Sequence, residues 1–356
     1  MILHVRRGVR GIRLVKIIEK AVLLDPRQGF SEREYTIEIR KDPLTGWWCR
    51  INVERARRER QVPEEEVKKT IEELAEETRQ TCVFCRTNFE EKTPKFSKMP
   101  RERYCYGKVV LMPNLFPFGE THALAILDPD THVRDLDEID QELVQDLLHV
   151  CIDYFRDVTR LKPRHRFHYI NMNLFFPAGS SIIHPHAQIF TSIKPTPLHA
   201  AMIARAKRYY DKWLAKIYDD YILTEIQSER YVTRVGHVHV ITYFAPVSNF
   251  HTLIISEQHG NLLELSDSDI RDMAHAIARV CQILRREFSQ HSMNFAILST
   301  CHEKYVKYSR VMVHIVCRKE PSKYYVNDIG FIELLHREPV VTTYPEDVGL
   351  RMRRVF

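Results

Sequence analysis

The alternation of hydrophobic and polar positions along residues 109–160 predicts a strand, a loop, a second strand, a polar link and an amphipathic helix. The strands read VVLMPNLF and HALAIL, and the helix reads QELVQDLLHVCIDYF, with apolar residues at helical spacing. The acidic link DPDTHVRDLDEID is typical of the residues that cap a helix at its start. This stretch therefore predicts one helix packed against antiparallel strands.

The same order of elements recurs from residue 238 and ends in a second amphipathic helix. Each half then closes with two more strands, FHYINMNLF and IIHPHAQIF in the first and MNFAILS and RVMVHIVCR in the second. Three pairs at matching places share one sequence offset: Pro117 and Pro246, His122 and His251, Leu124 and Leu253. The pattern predicts a duplicated α+β fold, with an antiparallel-rich sheet and its helix on one face in each half.

The composition is that of a soluble globular protein. The 356 residues are 44% hydrophobic, and no apolar run approaches the roughly 18 residues of a membrane span. The N-terminus carries charges within its apolar stretch and lacks a small-residue cleavage site, so we expect a cytoplasmic protein without a secretory signal. The net charge of +6, without a basic tract interleaved with aromatic residues, favours a phosphorylated small molecule over nucleic acid.

Two histidines stand one residue apart in the predicted strand IIHPHAQIF, after the small-residue turn AGSS. Because alternate side chains of a strand share a face, His184, His186 and Gln188 are predicted to point the same way. The N–H and hydroxyl groups of the turn are suited to holding phosphate oxygens. A carbonyl or carboxylate behind one imidazole would fix its tautomer and leave its other nitrogen free to attack phosphorus.

A pair of cysteines predicts a metal site close to these histidines. Cys82 and Cys85 have the spacing of a thiolate pair on tetrahedral Zn²⁺, and two imidazoles would complete a closed structural site. The eight cysteines are spaced too irregularly for a disulfide framework, which favours reduced thiols. We predict His184 and the loop residue His132 as the other two ligands, which leaves His186 as the nucleophile.

The stretch GSSIIHPHAQ resembles the Gly-x-Ser-x-x-His-Pro-His-x-Gln signature of the galactose-1-phosphate uridylyltransferase family. This family is a branch of the histidine-triad (HIT) superfamily and includes ADP-glucose phosphorylase-like enzymes. The segments KDPLTGWWCRINVERARR, CVFCRTNFEEKTP and VVLMPNLFPF resemble other family segments in the same order, over residues 39–350. The resemblance implies an α+β fold of two tandem HIT-like repeats, each an antiparallel-rich sheet with helices packed on one face.

The resemblance also implies a ping-pong reaction that moves UMP between a UDP-sugar and a hexose 1-phosphate. His186 is the implied nucleophile and carries the nucleotide covalently, while Gln188 and Ser181 are implied contacts of the transferred phosphoryl group. Structural zinc is implied on Cys82, Cys85, His132 and His184; His132 stands one residue late in its motif, and His122 is its alternative. Further nucleotide and phosphate contacts are implied at Arg55, Arg58, Val83, Phe84, Asn114, Phe116, Asn173 and Ser180.

The chain departs from the family pattern at two places near these residues. The lysine and glycine that follow the family's asparagine are here Leu174 and Phe175, which alters the wall on the phosphate side. The second repeat often carries another His-x-His, but the matching strand reads Met312-Val313-His314. We therefore predict that the second repeat has lost the catalytic pair and that His314 is structural.

The C-terminal segment resembles the family's sugar-phosphate-binding segment with altered spacing, and Lys323 and Glu333 are its implied contacts. The predicted division of the chain has four parts: an N-terminal extension without an assigned role (1–38), the first repeat with the zinc and catalytic motifs (39–198), a helical connector (199–235), and a degenerate second repeat with the sugar-phosphate segment (236–356). A homodimer is also implied, because the family's sites borrow residues across subunits.

Three other functions compete with uridylyl transfer at this stage. Phosphate could attack an ADP-sugar in a phosphorylase reaction, since Val83 and Phe84 would stack against either base. Water could be the acceptor, as in small histidine-triad hydrolases, although a covering second repeat would exclude water. A non-catalytic nucleotide-binding protein is disfavoured, because His186 is retained together with Gln188 and Ser181.

Overall fold

The computed structural model describes residues 2–58, 62–323 and 327–356, with the backbone alone at residues 57 and 58. The strands are β1 (Ile2–Arg7), β2 (Arg13–Asp25), β3 (Ser31–Lys41), β4 (Trp48–Ile51), β5 (Tyr104–Tyr106), β6 (Val109–Pro113), β7 (Ala123–Ile126), β8 (Phe167–Leu174), β9 (His186–Ser192), β10 (Tyr231–Val235), β11 (Val238–Thr242), β12 (Thr252–Ser256), β13 (Met293–Thr300), β14 (Met312–Cys317) and β15 (Val340–Val341). The helices are α1 (Glu64–Arg79), α2 (Arg86–Lys92), α3 (Gln141–Leu161), α4 (Pro197–Trp213), α5 (Ile217–Ile226), α6 (Asp267–Phe288), α7 (Glu303–Val306), α8 (Phe331–Leu334) and α9 (Pro345–Val355).

Within the described residues, one large sheet contains strands of both predicted repeats. Its order is β10-β11-β12-β14-β13-β8-β9-β7-β6-β5, and all neighbours are antiparallel. Read from either edge towards the centre, the two halves follow the same sequence of elements, and β8 and β13 meet in the middle. The predicted duplication and α+β fold class are therefore visible in the sheet topology.

One face of the large sheet is covered by α3 and α6. Both helices are amphipathic, and their buried residues join the inward side chains of the strands in one core that includes Leu147, Ile170, Met172 and Ile277. Asn171 and Asn173 alternate with Ile170 and Met172 along β8, so they face the opposite side of the sheet. The polar residues predicted for the site accordingly lie on the face away from α3 and α6.

The opposite face is partly covered by the connector and by a second, smaller sheet. The connector forms α4 and α5, whose buried side chains pack with those of the large sheet and with Leu14 and Leu44. The small sheet has the order β1-β2-β3-β4-β15, with β15 parallel to β4. The N-terminal segment thus forms strands of the small sheet. The predicted boundary between residues 38 and 39 falls inside β3.

A buried ionic network attaches the small sheet to the second repeat. Arg40 of β3 has a side chain 2% exposed and donates two hydrogen bonds of 2.9 Å to Glu346 of α9. Arg230 donates to the same carboxylate at 2.6 Å and also pairs with the fully buried Glu225. Buried charges are tolerated when they are paired and hydrogen-bonded in this way, so the network ties three distant parts of the chain together.

None of the helices in the described ranges is both long and apolar enough to cross a membrane.

Candidate active site and metal centre

Four side chains predicted to bind zinc converge within the first repeat. The ligand atoms of Cys82, Cys85, His132 and His184 all lie within 4.8 Å of one another, and three of the four residues are buried. Cys85 Sγ is 3.2 Å from His132 Nδ1 and 3.6 Å from His184 Nδ1. Two thiolates and two imidazoles form a ligand set typical of a closed structural zinc site.

The far nitrogens of both imidazoles are held by groups outside the cluster. His184 Nε2 lies 3.0 Å from the carbonyl oxygen of Asp128, and His132 Nε2 lies 3.0 Å from Thr78 Oγ1. Thr78 Oγ1 donates its own proton to the carbonyl of Leu74 at 2.7 Å, so it accepts from His132. Both histidines therefore carry their proton on Nε2 and direct a lone pair on Nδ1 towards the cluster, which is the arrangement that a metal ion requires.

The structure places the two candidate histidine ligands differently. His132 is in the cluster, whereas His122 lies against the site strand, where its Nδ1 accepts a 3.3 Å hydrogen bond from the backbone N–H of Phe118. His132 is thus the one of the two with metal-binding geometry.

The strand that carries the proposed nucleophile begins at His186, two residues later than His184. The expectation that both histidines lie on this strand is therefore wrong, and it fails because Pro185 has no N–H for the ladder and His184 turns towards the cysteines. The carbonyl oxygen of His184 instead lies 2.9 Å from His186 Nδ1. This carbonyl fixes the tautomer of His186 and leaves its Nε2 free.

The imidazole of His186 is held in a nearly buried position. It is 7% exposed, and its ring centroid lies 5.2 Å from that of Phe84. Burial lowers the pKa of His186 below its usual value, so the ring is neutral near pH 7. A neutral imidazole with one nitrogen tied to a carbonyl and the other free is chemically suited to nucleophilic attack.

Gln188 lies two residues further along the same face of β9. It pairs with Asn171 of β8, and its side chain accepts from His122. His122 Nδ1 accepts from Phe118 N–H, and the side-chain amide nitrogen of Asn114 lies 3.3 Å from His122 Nε2. The side-chain amide of Gln188 thus lies beside His122, on the face of the sheet that carries His186.

The two serines predicted to contact phosphate, in the turn before β9, differ in exposure and in hydrogen bonding. Ser181 is exposed, whereas the hydroxyl of Ser180 donates to the carbonyl of Ile182 at 2.7 Å. The turn is entered through Phe175, which has φ 64° and ψ 166°, a region that essentially only glycine occupies without strain. Phe175, at the position where the resemblance implies a glycine, is thus a strained residue with a buried side chain.

The residues predicted to contact the base separate into buried and exposed groups. Phe84 is 4% exposed and packs with Met112 and Leu124 behind the cluster, while Val83 is half-buried beside it. Phe116 is 83% exposed, and Asn114 Oδ1 accepts the backbone N–H of Phe116 at 2.8 Å. Phe84 therefore has the environment of a core residue that supports His186, and Phe116 has that of a residue free to contact a ligand.

A cavity of about 1910 Å³ covers the middle of this face and extends over the second repeat. Asn171, Asn173, Arg55 and Glu333 are among its lining residues. The carboxylate of Glu333 accepts backbone N–H groups of Gly330 and Val340, at 2.9 and 3.4 Å. Its oxygens therefore hold the loop in this structure.

Two predicted basic contacts lie outside this arrangement. Lys323 is exposed and is not among the residues that line the cavity. The side chain of Arg58 lies outside the described part of the structure, so its predicted contact with phosphate has no structural description.

Three residues of the site region were not found from the sequence. Thr78, on α1, supports His132, and no motif in the sequence around it marks it as part of a metal site. Asn294 and Arg318 of the second repeat lie in hydrogen-bonding contact with one another next to Asn173. No short sequence motif links these residues, which are far apart along the chain. Their positions on or next to strands that recur in both repeats gave only a weak indication.

A methionine stands in the second repeat at the ladder position that matches His186. Ile255 pairs with Met312 where Ile126 pairs with His186, so Met312 stands in the nucleophile's position. His314 stands two residues further on, and its Nδ1 lies 3.0 Å from His251 Nε2.

No protein-family model matches the chain. An uncharacterized protein of Archaeoglobus fulgidus is 26% identical over 337 residues, which cover 92% of this chain and 95% of that protein. ADP-glucose phosphorylase of Arabidopsis thaliana is 21% identical over 355 residues, with 92% and 95% of the two chains covered.

Solved structures share the fold over almost the whole chain. The structure of an ADP-glucose phosphorylase from Arabidopsis thaliana with bound ADP-glucose has a TM-score of 0.71 at 19% identity and covers 90% of this chain and 99% of its own. A uridylyltransferase structure has a TM-score of 0.62 at 17% identity and covers 89% and 97%. The predicted resemblance and the α+β fold class are confirmed by these similarities.

Proposed function

We propose that this chain, which has the fold of ADP-glucose phosphorylase and uridylyltransferase, is a nucleotidyltransferase that acts on nucleotide-sugars through a covalent nucleotidyl-histidine. The observation that carries the proposal is the 2.9 Å contact between His186 Nδ1 and the carbonyl of His184, which leaves Nε2 free. Gln188 and Asn173, on the same face, offer amide donors for the phosphoryl oxygens.

The proposed reaction has two half-reactions, and each forms one bond to phosphorus and breaks another. In the first, the lone pair of His186 Nε2 forms a bond to the α-phosphorus, and the bond from that phosphorus to the bridging oxygen breaks. The electron pair leaves with the oxygen of the sugar 1-phosphate, while the hydrogen stays on Nδ1, where its hydrogen bond to the carbonyl of His184 stabilises the positive charge on the ring. In the second, an oxygen of the acceptor phosphate attacks the phosphorus and returns the pair to Nε2.

The zinc site has a structural role in this proposal. Cys82, Cys85, His132 and His184 would hold a zinc ion, which neutralises the two thiolates and fixes the loop. Because His184 is both a ligand and the residue whose carbonyl holds His186, the metal site sets the position of the nucleophile.

Two nucleotides are candidates for the transferred group. The sequence motifs favour UMP moved from a UDP-sugar to a hexose 1-phosphate. The second candidate, AMP moved from an ADP-sugar to phosphate, is supported by the similarity to ADP-glucose phosphorylase in sequence and by the larger of the two TM-scores. In both, the proposed nucleophile, metal ligands and phosphoryl contacts are the same residues.

Labelling of the protein tests the proposal. The chain is incubated with ADP-glucose or UDP-glucose that carries ³²P at the α-position, and acid-labile label on the protein is counted. We expect label on the wild type and on the control His275→Ala, whose side chain is exposed on α6, and none on His186→Ala. Equal turnover by His186→Ala would contradict the covalent mechanism.

The acceptor follows from the same labelled protein. Release of the label as ADP on addition of phosphate identifies a phosphorylase, and release as a UDP-sugar on addition of a hexose 1-phosphate identifies a uridylyltransferase. Release as the free monophosphate in buffer alone identifies a hydrolase and contradicts transfer.

A homodimer is part of the proposal. Three apolar side chains in and next to α8, beside the segment implied to bind sugar phosphate, are strongly exposed: Phe331 at 72%, Leu334 at 68% and Leu335 at 74%. Large apolar patches on a protein surface mark interaction sites. Sedimentation equilibrium tests this, and a monomer at micromolar concentration would contradict it.

A further inference from the structure

Two asparagine amides from different repeats meet in the middle of the large sheet. Asn294 of β13 pairs with Asn173 of β8 in the ladder, and its Nδ2 donates to Asn173 Oδ1 at 2.7 Å. The same Nδ2 group donates to the carbonyl of Ala178, in the turn before the nucleophile, at 2.8 Å. The second repeat therefore contacts the phosphoryl side of the proposed site directly.

The direction of these hydrogen bonds is fixed by an arginine. Arg318 Nη1 donates to Asn294 Oδ1 at 2.8 Å, and a guanidinium has donors and no acceptor. The oxygen of Asn294 must therefore face Arg318, and its NH₂ must face Asn173. Arg318 is itself held by Asp328, whose Oδ2 accepts from Nε at 2.8 Å.

These hydrogen bonds determine the orientation of the side-chain amide of Asn173. Its oxygen is occupied by Asn294, so its NH₂ is the end that is directed towards the carbonyl of Gly179, 3.5 Å away, and towards the cavity that Asn173 lines. If this constraint were removed, the amide could rotate by half a turn and present its oxygen instead. An oxygen facing an anionic phosphoryl group would repel it, whereas the NH₂ attracts it.

We propose that Asn294, with Arg318 behind it, is a positioning residue that holds the Asn173 amide with its NH₂ towards the transferred phosphoryl group. The inference rests on the proposed function of His186 and Asn173. It gives the second repeat, which has lost its own nucleophile, a role in the chemistry of the first.

The test is the substitution Asn294→Asp, which keeps the shape and the acceptor for Arg318 but removes the donor to Asn173. We expect the single-turnover rate of ³²P labelling from the nucleotide-sugar to fall by about ten- to a hundredfold, the range for a lost hydrogen bond to a charged group. Affinity for the nucleotide-sugar, measured on the same variants in the His186→Ala background, should change less than about threefold. A change in affinity as large as that in rate would overturn the positioning role.

Asn261→Asp is the matched control. Asn261 lies in the second repeat, where its Oδ1 accepts from Leu263 N–H at 3.1 Å and its Nδ2 donates to Glu264 at 3.3 Å, so Asn261→Asp likewise removes an amide donor and adds a charge, but at a residue without a hydrogen bond to Asn173. We expect its labelling rate to equal that of the wild type. If Asn294→Asp does not melt cooperatively, the labelling rate is measured on Asn294→Ala instead, because that change removes the same donor without adding charge.

A double-mutant cycle isolates the proposed pathway. In an Asn173→Ala background no amide is left to orient, so Asn294→Asp should slow labelling less than about threefold further. Equal effects of Asn294→Asp in the two backgrounds would show that it acts elsewhere and would overturn the inference while leaving the covalent mechanism intact. A wild type that takes no label from either nucleotide-sugar would overturn the proposed function and this inference with it.

Discussion

His314 lies in the second repeat at the position that Gln188 holds in the first. Each is paired across the sheet with the corresponding leucine of its repeat, Leu253 and Leu124. Each also contacts the histidine of its own loop. The duplication therefore preserved a loop histidine that holds a polar residue on this face, while only the first repeat kept the imidazole beside it.

Replacing Met312 by histidine in a His186→Ala background is expected not to restore labelling. Met312 has the nucleophile's place in the ladder, but Arg310 stands where His184 would be and its guanidinium is bound to Asp219 at 2.7 Å. The new imidazole would therefore have no metal-anchored residue two positions before it. Acid-labile ³²P on the double variant would show that the strand position alone is sufficient.

Thr78→Val is expected to lower zinc affinity by about ten- to a hundredfold, the usual effect of losing a partner behind a metal-bound histidine. The substitution keeps the shape of the side chain and removes the oxygen that accepts from His132. Competition with a chromogenic chelator measures the change. Thr81→Val, at an exposed position on the same segment, is the control and should bind zinc as the wild type does.

Glu346→Gln is expected to lower the free energy of unfolding by about 3–5 kcal/mol, because it leaves buried arginines without their shared partner. Burial by itself would raise the pKa of Glu346, but the charges of Arg40 and then Arg230 outweigh it and lower the pKa to about 2. The stabilisation is thus complete above the ordinary value of 4.5 and is lost as the pH falls towards 2.

Urea denaturation at pH 7 and at pH 3 measures this difference, which should be smaller at the lower pH. Glu287→Gln is the control, since Glu287 pairs with Arg351 at an exposed site and should contribute no more than about 1 kcal/mol. Equal losses for the two variants would contradict the role assigned to the network.

Glu320→Gln is expected to stabilise the protein at alkaline pH. Burial raises the pKa of Glu320 to about 8, despite the hydrogen bond from the backbone N–H of His291. Between the unfolded value of 4.5 and this pKa the folded state holds a proton that the unfolded state has released, so stability falls as the pH rises. The amide avoids this cost, and Tm at pH 8 should rise by about 2 °C or more.

The comparison is a pair of melting curves at pH 5 and pH 8. The gain of Glu320→Gln should be larger at pH 8, and Glu303→Gln, at an exposed position, should show no gain at either pH. A gain that does not depend on pH would mean that the carboxyl of Glu320 ionises as an exposed one does.

The elements of the repeats were predictable from the sequence because their strands and helices carry strong periodic patterns. The matching positions of Pro117 and Pro246 gave the duplication, and the sheet order confirms it. The N-terminal sheet was not predicted, because β1 is exposed along its whole length and its charged residues hide the alternation. Its position depends on the distant partners of Arg40.

The site was predictable where one short motif carries the chemistry. Cys82, Cys85 and His184 could be assigned because the Cys-x-x-Cys spacing and the His-Pro-His motif supply the ligand types of a structural zinc site. The contacts of Asn294 and Arg318 could not, since an amide and a guanidinium are common on any surface and acquire a role only through the fold. The strained backbone at Phe175 was equally hidden, because only the structure shows that the turn requires a positive φ.

The ladder between β8 and β13 pairs eight residues of each strand, from Phe167 with Thr300 to Leu174 with Met293. Bending between the repeats would have to break this backbone hydrogen bonding at the centre of the sheet. The two repeats therefore cannot open and close about a hinge at their junction. In the proposed reaction, the first product would leave and the second substrate would enter while this part of the sheet stays fixed, so any movement that accompanies the exchange would be confined to the surrounding loops.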